Sequence, residues 1–228
     1  MPHDVDVSDF VKERLIKIRG DLRLYRSLDP KRSALVIIDM QNAFVAEGGV
    51  IEVSMSRSIV PVINHTADVC RQLSVPVIWI RSHHPKGGAD WRGFFDHFVR
   101  PERREQAAAA LSDDAPTSRF YPEMDVREED FIVVKNRYSC FIPGSSGLER
   151  LLRSLDRDTV LLCGTKTNIC VESTARDGMM LDLKMVVLRD ATAALTDIEH
   201  QASLNVLIQE FADILTSAEA IDELKQNA

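Results

Sequence analysis

The chain has 228 residues, a formal net charge of -7, and 45% hydrophobic and 28% charged side chains. That is ordinary globular usage, which argues against intrinsic disorder, and the lack of a basic stripe argues against a nucleic-acid footprint. No apolar run approaches the ~18 residues of a membrane span, and Met1 to Asp6 carry no basic segment leading into an apolar one, so neither a membrane partner nor a signal peptide is expected.

Residues 1–30 are predicted to be an N-terminal helical extension. Val7, Phe10, Val11, Leu15 and Ile18 fall near one helical face, a stripe that such a helix cannot bury alone. It packs either on its own domain or on another subunit. Residues 31–228 are read as one domain. Strands are predicted at Ala34–Asp39 (ALVIID), Val75–Arg81, Phe131–Lys135, Thr159–Cys163 and Lys184–Leu188, with a weaker one at Asp213–Thr216. Helices are predicted at Ser56–Leu73, Gly147–Leu155, Asn168–Leu181 and Asp197–Phe211, and Ala107–Ala110 reads as the interior of another. Continuous β-branched strands alternating with helices point to a parallel, doubly wound α/β sheet covered on both faces, with right-handed crossovers. The long connection Ser82–Asp130 carries Trp91, Phe94, Phe95, Phe98 and Pro101. It forms either a lid or pocket wall, or a helix packing its aromatics into the core.

Ligands of open α/β sheets bind outside the carboxyl ends of the strands. Asp39 follows the first strand, Lys135 ends the third, and Gly164-Thr-Lys-Thr-Asn-Ile-Cys170 follows the fourth. A carboxylate, an amine and a thiol therefore meet at one edge. Cys170 is predicted in the first turn of a helix, with Glu172 and Arg176 forming an i, i+4 pair. Helix N-termini and nearby cations lower a thiol pKa, and Lys135 supplies the cation. Asp39 is placed to take the thiol proton and later give it to the leaving group.

Cys163 lies within a buried run and Cys70 on an amphipathic helix, whereas Cys140 follows the Lys135 strand and borders the pocket. None of the four cysteines has CxxC spacing, and without a signal they read as thiols in a reducing compartment, which predicts a cytoplasmic location. His83 and His84 follow the second strand, either to line the pocket or to bind a metal. Adjacent side chains seldom chelate one ion and no acidic ligand has a recognisable spacing, so no metal is expected. His97 and His200 read as helix-surface residues. With no GxGxxG and no GxxxxGK[ST], no nucleotide cofactor is expected.

Asp39 in IIDMQNAF, Lys135 in KNRYSCF and Cys170 in GTKTNICVESTARDG resemble the three signatures of the isochorismatase-like cysteine hydrolases, over about Ser33 to Thr216. The resemblance implies a three-layer α/β/α sandwich around a six-stranded parallel sheet of order 3-2-1-4-5-6, and a homo-oligomer, dimer or tetramer. It implies a catalytic triad of Asp39, Lys135 and Cys170, a cis peptide bond between Thr165 and Lys166, and an oxyanion hole of the Lys166 and Cys170 backbone N–H groups. Phe44, Arg137 and Tyr138, within these motifs, and Gln209, on the helix after the fifth strand, are assigned to substrate contact. Lys166 departs from the small or apolar residue common in the family, and projects either toward the pocket, favouring an anionic or carbonyl-rich substrate, or toward solvent or a subunit interface. The Asp-x-His element of metal-binding nicotinamidases is absent, since Arg81-Ser-His-His84 lacks the acid.

TNICVESTARDG is most similar to the ureidoacrylate amidohydrolases and the related biuret and triuret hydrolases. The expected activity is thus cysteine-dependent cleavage of a C–N bond in a small ureido or carbamoyl amide through a thioester. The alternatives are vinyl-ether hydrolysis of the isochorismatase type, an amidase acting on nicotinamide or maleamate, and a non-catalytic binding protein that kept the fold.

Overall fold

The computed structural model describes residues 3–228. Its strands are β1 (Ser33–Ile38), β2 (Val77–Ser82), β3 (Phe131–Lys135), β4 (Thr159–Thr165), β5 (Lys184–Ala193) and β6 (Asp213–Leu215). They form one six-stranded parallel sheet of order β3-β2-β1-β4-β5-β6. The helices are α1 (Asp9–Arg19), α2 (Asn42–Val45), α3 (Ser56–Gln72), α4 (Arg92–His97), α5 (Arg104–Ala109), α6 (Leu148–Ser154), α7 (Glu172–Met180), α8 (Asp197–Glu210) and α9 (Ser217–Gln226).

β1 and β4 are buried at every position, which is why they read as apolar runs without polar alternation. Successive side chains leave opposite faces of the sheet. Leu35 and Ile37 enter one core with Ile59 and Ile63 of α3 and Leu224 of α9. Val36 and Ile38 enter the other with Leu152 of α6, Ala175 of α7 and Leu207 of α8. The expected α/β/α layering and strand order are those observed.

The order reverses between β1 and β4: β2 and β3 extend the sheet to one side, β5 and β6 to the other. The carboxyl ends of β1 and β4 flank this switch point, the usual place for a ligand crevice in open sheets. Gly164 lets them approach closely. Its φ is +102°, and a Cβ there would lie 2.1 Å from the Ile38 carbonyl oxygen.

Of the expected 1–30 extension, Met1 and Pro2 lie outside the described residues. The remainder packs on its own domain. Val7, Val11 and Leu15 are buried in the same core as α8, the Ser8 N–H donates to Asn205 Oδ1 at 2.8 Å, and Gln201 Nε2 donates to the Asp6 carbonyl at 2.9 Å. Phe10 and Ile18, expected on the buried stripe, are 74% and 73% exposed. Positions 7, 11 and 15 repeat every fourth residue, and their neighbours at 10 and 18 turn out of that narrow seam.

His200 also departs from expectation. It is 1% exposed on α8, because His3 of the N-terminal segment stacks on it with ring centroids 4.2 Å apart. His3 Nε2 accepts the Ala194 N–H at 3.0 Å and its Nδ1 lies 2.7 Å from Asp197 Oδ1. His97 is exposed, as expected.

Candidate active site

Three strands deliver polar side chains to the switch point. Asp39, directly after β1, is fully buried, and its backbone is left-handed (φ +55°) where the chain turns out of the strand. Lys135 ends β3 and is 1% exposed. Its Nζ lies 2.8 Å from Asp39 Oδ2 and 3.6 Å from Cys170 Sγ. It also donates to Ser82 Oγ at 2.7 Å and to the Arg137 carbonyl at 3.1 Å. One buried ammonium therefore joins the carboxylate to the thiol.

Two polar residues that sequence reasoning missed complete the frame. Ser82, paired in register with Lys135, donates its hydroxyl to Asp39 Oδ1 at 2.8 Å. Gln41 is fully buried; its Nε2 donates to the carbonyls of Ser82 and Ser118, and its Oε1 accepts the Ser82 N–H. Gln41 thereby locks the end of β1 to the end of β2. The one available signal is that both are polar residues at the end of an otherwise apolar strand run.

Cys170 sits in a π-helical turn, Thr167–Val171, that leads into α7. The peptide bond between Thr165 and Lys166 is cis. The Lys166 carbonyl accepts from the Ile169 and Val171 N–H groups, at 3.1 and 3.2 Å, skipping Cys170 between them. Thr167 Oγ1 lies 2.9 Å from His200 Nδ1, and Ser203 Oγ donates to both the Thr167 carbonyl and Glu172 Oε2. Glu172 pairs with Arg176 at 2.8 Å. The turn is thus fixed to α8 by hydrogen bonds, with the thiol on its inner side.

The electrostatics differ from the expectation of a lowered thiol pKa. Burial dominates, and although Lys135 pulls the other way, the Asp39 charge adds to the burial, so Cys170 is pushed up to about 12. Burial opposes the Lys135 ammonium, yet the pairing with Asp39 outweighs it and holds Lys135 above the usual lysine range. The resting site therefore holds a neutral thiol beside a charged lysine. Cys140 is likewise pushed up to about 12 by burial, and its N–H donates to Thr174 Oγ1.

Ser82, Lys135 and Cys170 line a cavity of about 410 Å³, whereas Asp39 and Cys140 are not part of its wall. Phe44, Arg137, Tyr138 and Lys166 line it. Gln209 does not. It lies on α8 with its Oε1 accepting from Arg14 and its Nε2 donating to the Asn205 carbonyl, beneath the N-terminal helix. The 82–130 connection supplies much of the wall, including Trp91, Phe94, Phe95 and Phe98. His84 lines the cavity, with Nδ1 3.1 Å from Asp90 Oδ1, whereas His83 turns to Asp113 at 3.2 Å. Among the described residues no group of three His, Cys, Asp or Glu side chains is placed to hold a metal ion.

Residues 33–219 match the family model described as the isochorismatase domain. The chain belongs to the isochorismatase family. Within that family it is 32% identical over 215 residues to a ureidoacrylate amidohydrolase of Pseudomonas savastanoi pv. phaseolicola, covering 88% of this chain and 85% of that protein. It is also 32% identical over 180 residues to an Arabidopsis thaliana protein named as a probable inactive nicotinamidase, covering 76% of this chain and 87% of that one. The crystal structure of a cysteine hydrolase from Pseudomonas syringae pv. phaseolicola superposes with a TM-score of 0.81 at 29% identity, covering 90% of this chain and 97% of that one. The isochorismatase fold and the hydrolase class thus stand on the whole domain rather than on a single motif.

Proposed function

We propose that this isochorismatase-family hydrolase is a cysteine amidohydrolase that cleaves a C–N bond of a linear amide or ureido compound. The observation that carries the reading is Lys135 Nζ set between Asp39 and Cys170, 2.8 Å from the carboxylate and 3.6 Å from the sulfur. The similarity to ureidoacrylate amidohydrolases supports the ureido class.

In this reading Cys170 is the nucleophile, Asp39 the general base and acid, and Lys135 the cation that holds Asp39 in place and steadies the forming thiolate. Because burial holds the resting thiol neutral, its proton passes to Asp39 as Sγ attacks the carbonyl carbon. The tetrahedral oxyanion is received by the backbone N–H groups of Lys166 and Cys170. Collapse breaks the C–N bond, and Asp39 returns its proton to the departing nitrogen. Water, deprotonated by Asp39, then hydrolyses the thioester and restores the thiol.

The test is ammonia release from ureido and amide compounds by the wild type and by Cys170→Ser, with mass spectrometry of rapidly quenched enzyme. A Cys170-bound acyl adduct and loss of turnover in the variant are expected. Undiminished hydrolysis by Cys170→Ser would sink the mechanism.

A further inference from the structure

The lining of the cavity is unusual for this chain. It takes four of the nine phenylalanines, one of the two tryptophans and one of the three tyrosines. Trp91 and Phe94 stack with centroids 4.9 Å apart, and Tyr138 meets Trp91 edge-on at 4.8 Å. Aromatic walls of this kind recognise flat apolar groups. A compact polar urea such as biuret would leave most of this wall facing water.

The same lining is cationic. Besides Lys135 it carries Lys166, Arg100, Arg103 and Arg137 but no aspartate or glutamate, in a chain whose net charge is -7. Arg137 lies 5.0 Å over the Trp91 ring and donates to the carbonyls of Asn136 and Asp90. These neutral partners orient the guanidinium without cancelling its charge. Lys166, half-buried at the start of the Cys170 turn, forms no ion pair among the described residues. A half-buried, unpaired ammonium beside an aromatic wall, among other cations, suits a carboxylate brought in by a ligand.

We propose that the substrate is an anionic amide or ureido compound with an aromatic body, whose ring lies against Trp91 and Phe94 and whose carboxylate is met by Lys166. This rests on the amidohydrolase reading above and names its substrate class. Lys166 then serves twice: its backbone N–H receives the oxyanion, and its side chain selects for the carboxylate. The chemistry is unchanged. Sγ–C forms and C–N breaks, the thiol proton leaves on the nitrogen through Asp39, and water releases the acid.

A two-by-two panel of ureas that share one scissile group tests this. N-carbamoylphenylalanine carries ring and carboxylate, benzylurea the ring alone, N-carbamoylglycine the carboxylate alone, and biuret neither. The expected kcat/KM for N-carbamoylphenylalanine, in one of its enantiomers, exceeds each of the others by about tenfold or more. Lys166→Met narrows its advantage over benzylurea by about tenfold, and Trp91→Ala narrows its advantage over N-carbamoylglycine comparably. Equal or faster turnover of biuret or N-carbamoylglycine overturns the substrate class while leaving the cysteine mechanism standing.

Calorimetric binding of 3-phenylpropanoate decides the case independently of turnover. Binding that weakens about tenfold in Lys166→Met, and is not seen for propanoate, supports the class even if no urea is cleaved. In that event the amidohydrolase reading is what fails. No binding of 3-phenylpropanoate at millimolar concentration, together with no turnover of N-carbamoylphenylalanine, overturns the class itself.

Discussion

Ser82 Oγ donates to Asp39 Oδ1 at 2.8 Å while accepting from Lys135 Nζ at 2.7 Å. The hydroxyl closes a ring of three side chains from the ends of three adjacent strands and fixes the rotation of the Asp39 carboxylate. Ser82→Ala removes that constraint but leaves the ion pair. Its expected effect is a fall in kcat of about tenfold with KM nearly unchanged, because the hydroxyl acts on the base and not on the bound amide. Steady-state kinetics on any substrate that turns over checks this; a rise in KM at constant kcat would instead assign Ser82 to binding.

The Cys170 thiol, pushed up to about 12 chiefly by burial and further by Asp39, is expected to be unreactive at neutral pH in the free protein. Labelling of Cys170 by iodoacetamide, followed by peptide mapping, should rise about tenfold per pH unit between pH 7 and 9.5 without a plateau. Asp39→Asn removes a charge that disfavours the thiolate. It should therefore label faster than wild type at pH 8, while turnover falls by about 10²–10⁴-fold for want of the base. A plateau near pH 7 in the wild type would mean a preformed thiolate and a different role for Asp39.

What was legible in the chain follows from the sheet. In a parallel sheet every strand delivers its carboxyl end to the same edge, so Asp39, Lys135 and Cys170 converge wherever the helices between strands happen to lie. The apolar runs ALVIID and TVLLC mark the two central strands because both of their faces are covered. The placements that differ from the sequence reading depend on distances the sequence does not encode. Ser82 matters because of its register opposite Lys135. His200 reads as a surface residue until His3, from the far end of the chain, covers it. Gln209 shares a helix with site-supporting residues but faces Arg14. The aromatics of the 82–130 connection could have served core or pocket equally, and the fold of that connection, not its composition, settles it. The C-terminal helix α9 is not among the predicted helices, although Thr216 and Glu219 form a capping box ahead of it.

The His3–His200 stack gives a pH dependence with a definite sign. Burial first, and His3 next, push the His200 imidazole down to about 4, below the 6.5 of an unperturbed histidine. The unfolded chain therefore binds the proton more readily than the folded one. The stability from neutral His200 is fully present above pH 6.5 and declines as the pH falls from there toward 4. Between pH 7.5 and 5 the loss is about 2 kcal/mol. Urea denaturation at the two pH values should show this difference, and His200→Asn should shrink it by most of that amount. The same slope in the variant would place the acid sensitivity elsewhere.

Gly164 sets how closely β4 approaches β1 beside the candidate site. Its φ of +102° is a conformation L side chains rarely adopt, and a Cβ would meet the Ile38 carbonyl oxygen at 2.1 Å and the Ile38 nitrogen at 2.7 Å, all backbone atoms that cannot swing aside. Gly164→Ala must therefore push apart the strands that carry Asp39 and the Cys170 turn. A loss of about 3 kcal/mol or more is expected, since the substitution combines overpacking with an unfavourable φ. At residue 178 the added Cβ meets mostly the Met185 side chain, at 2.6 Å to Sδ and 2.9 Å to Cε, with Phe141 Cε2 also at 2.9 Å, so Gly178→Ala has movable neighbours and should cost less. Thermal and urea denaturation of the two variants side by side measures the contrast; equal stabilities would show that β1 and β4 tolerate separation and that the close approach is not what holds the site together.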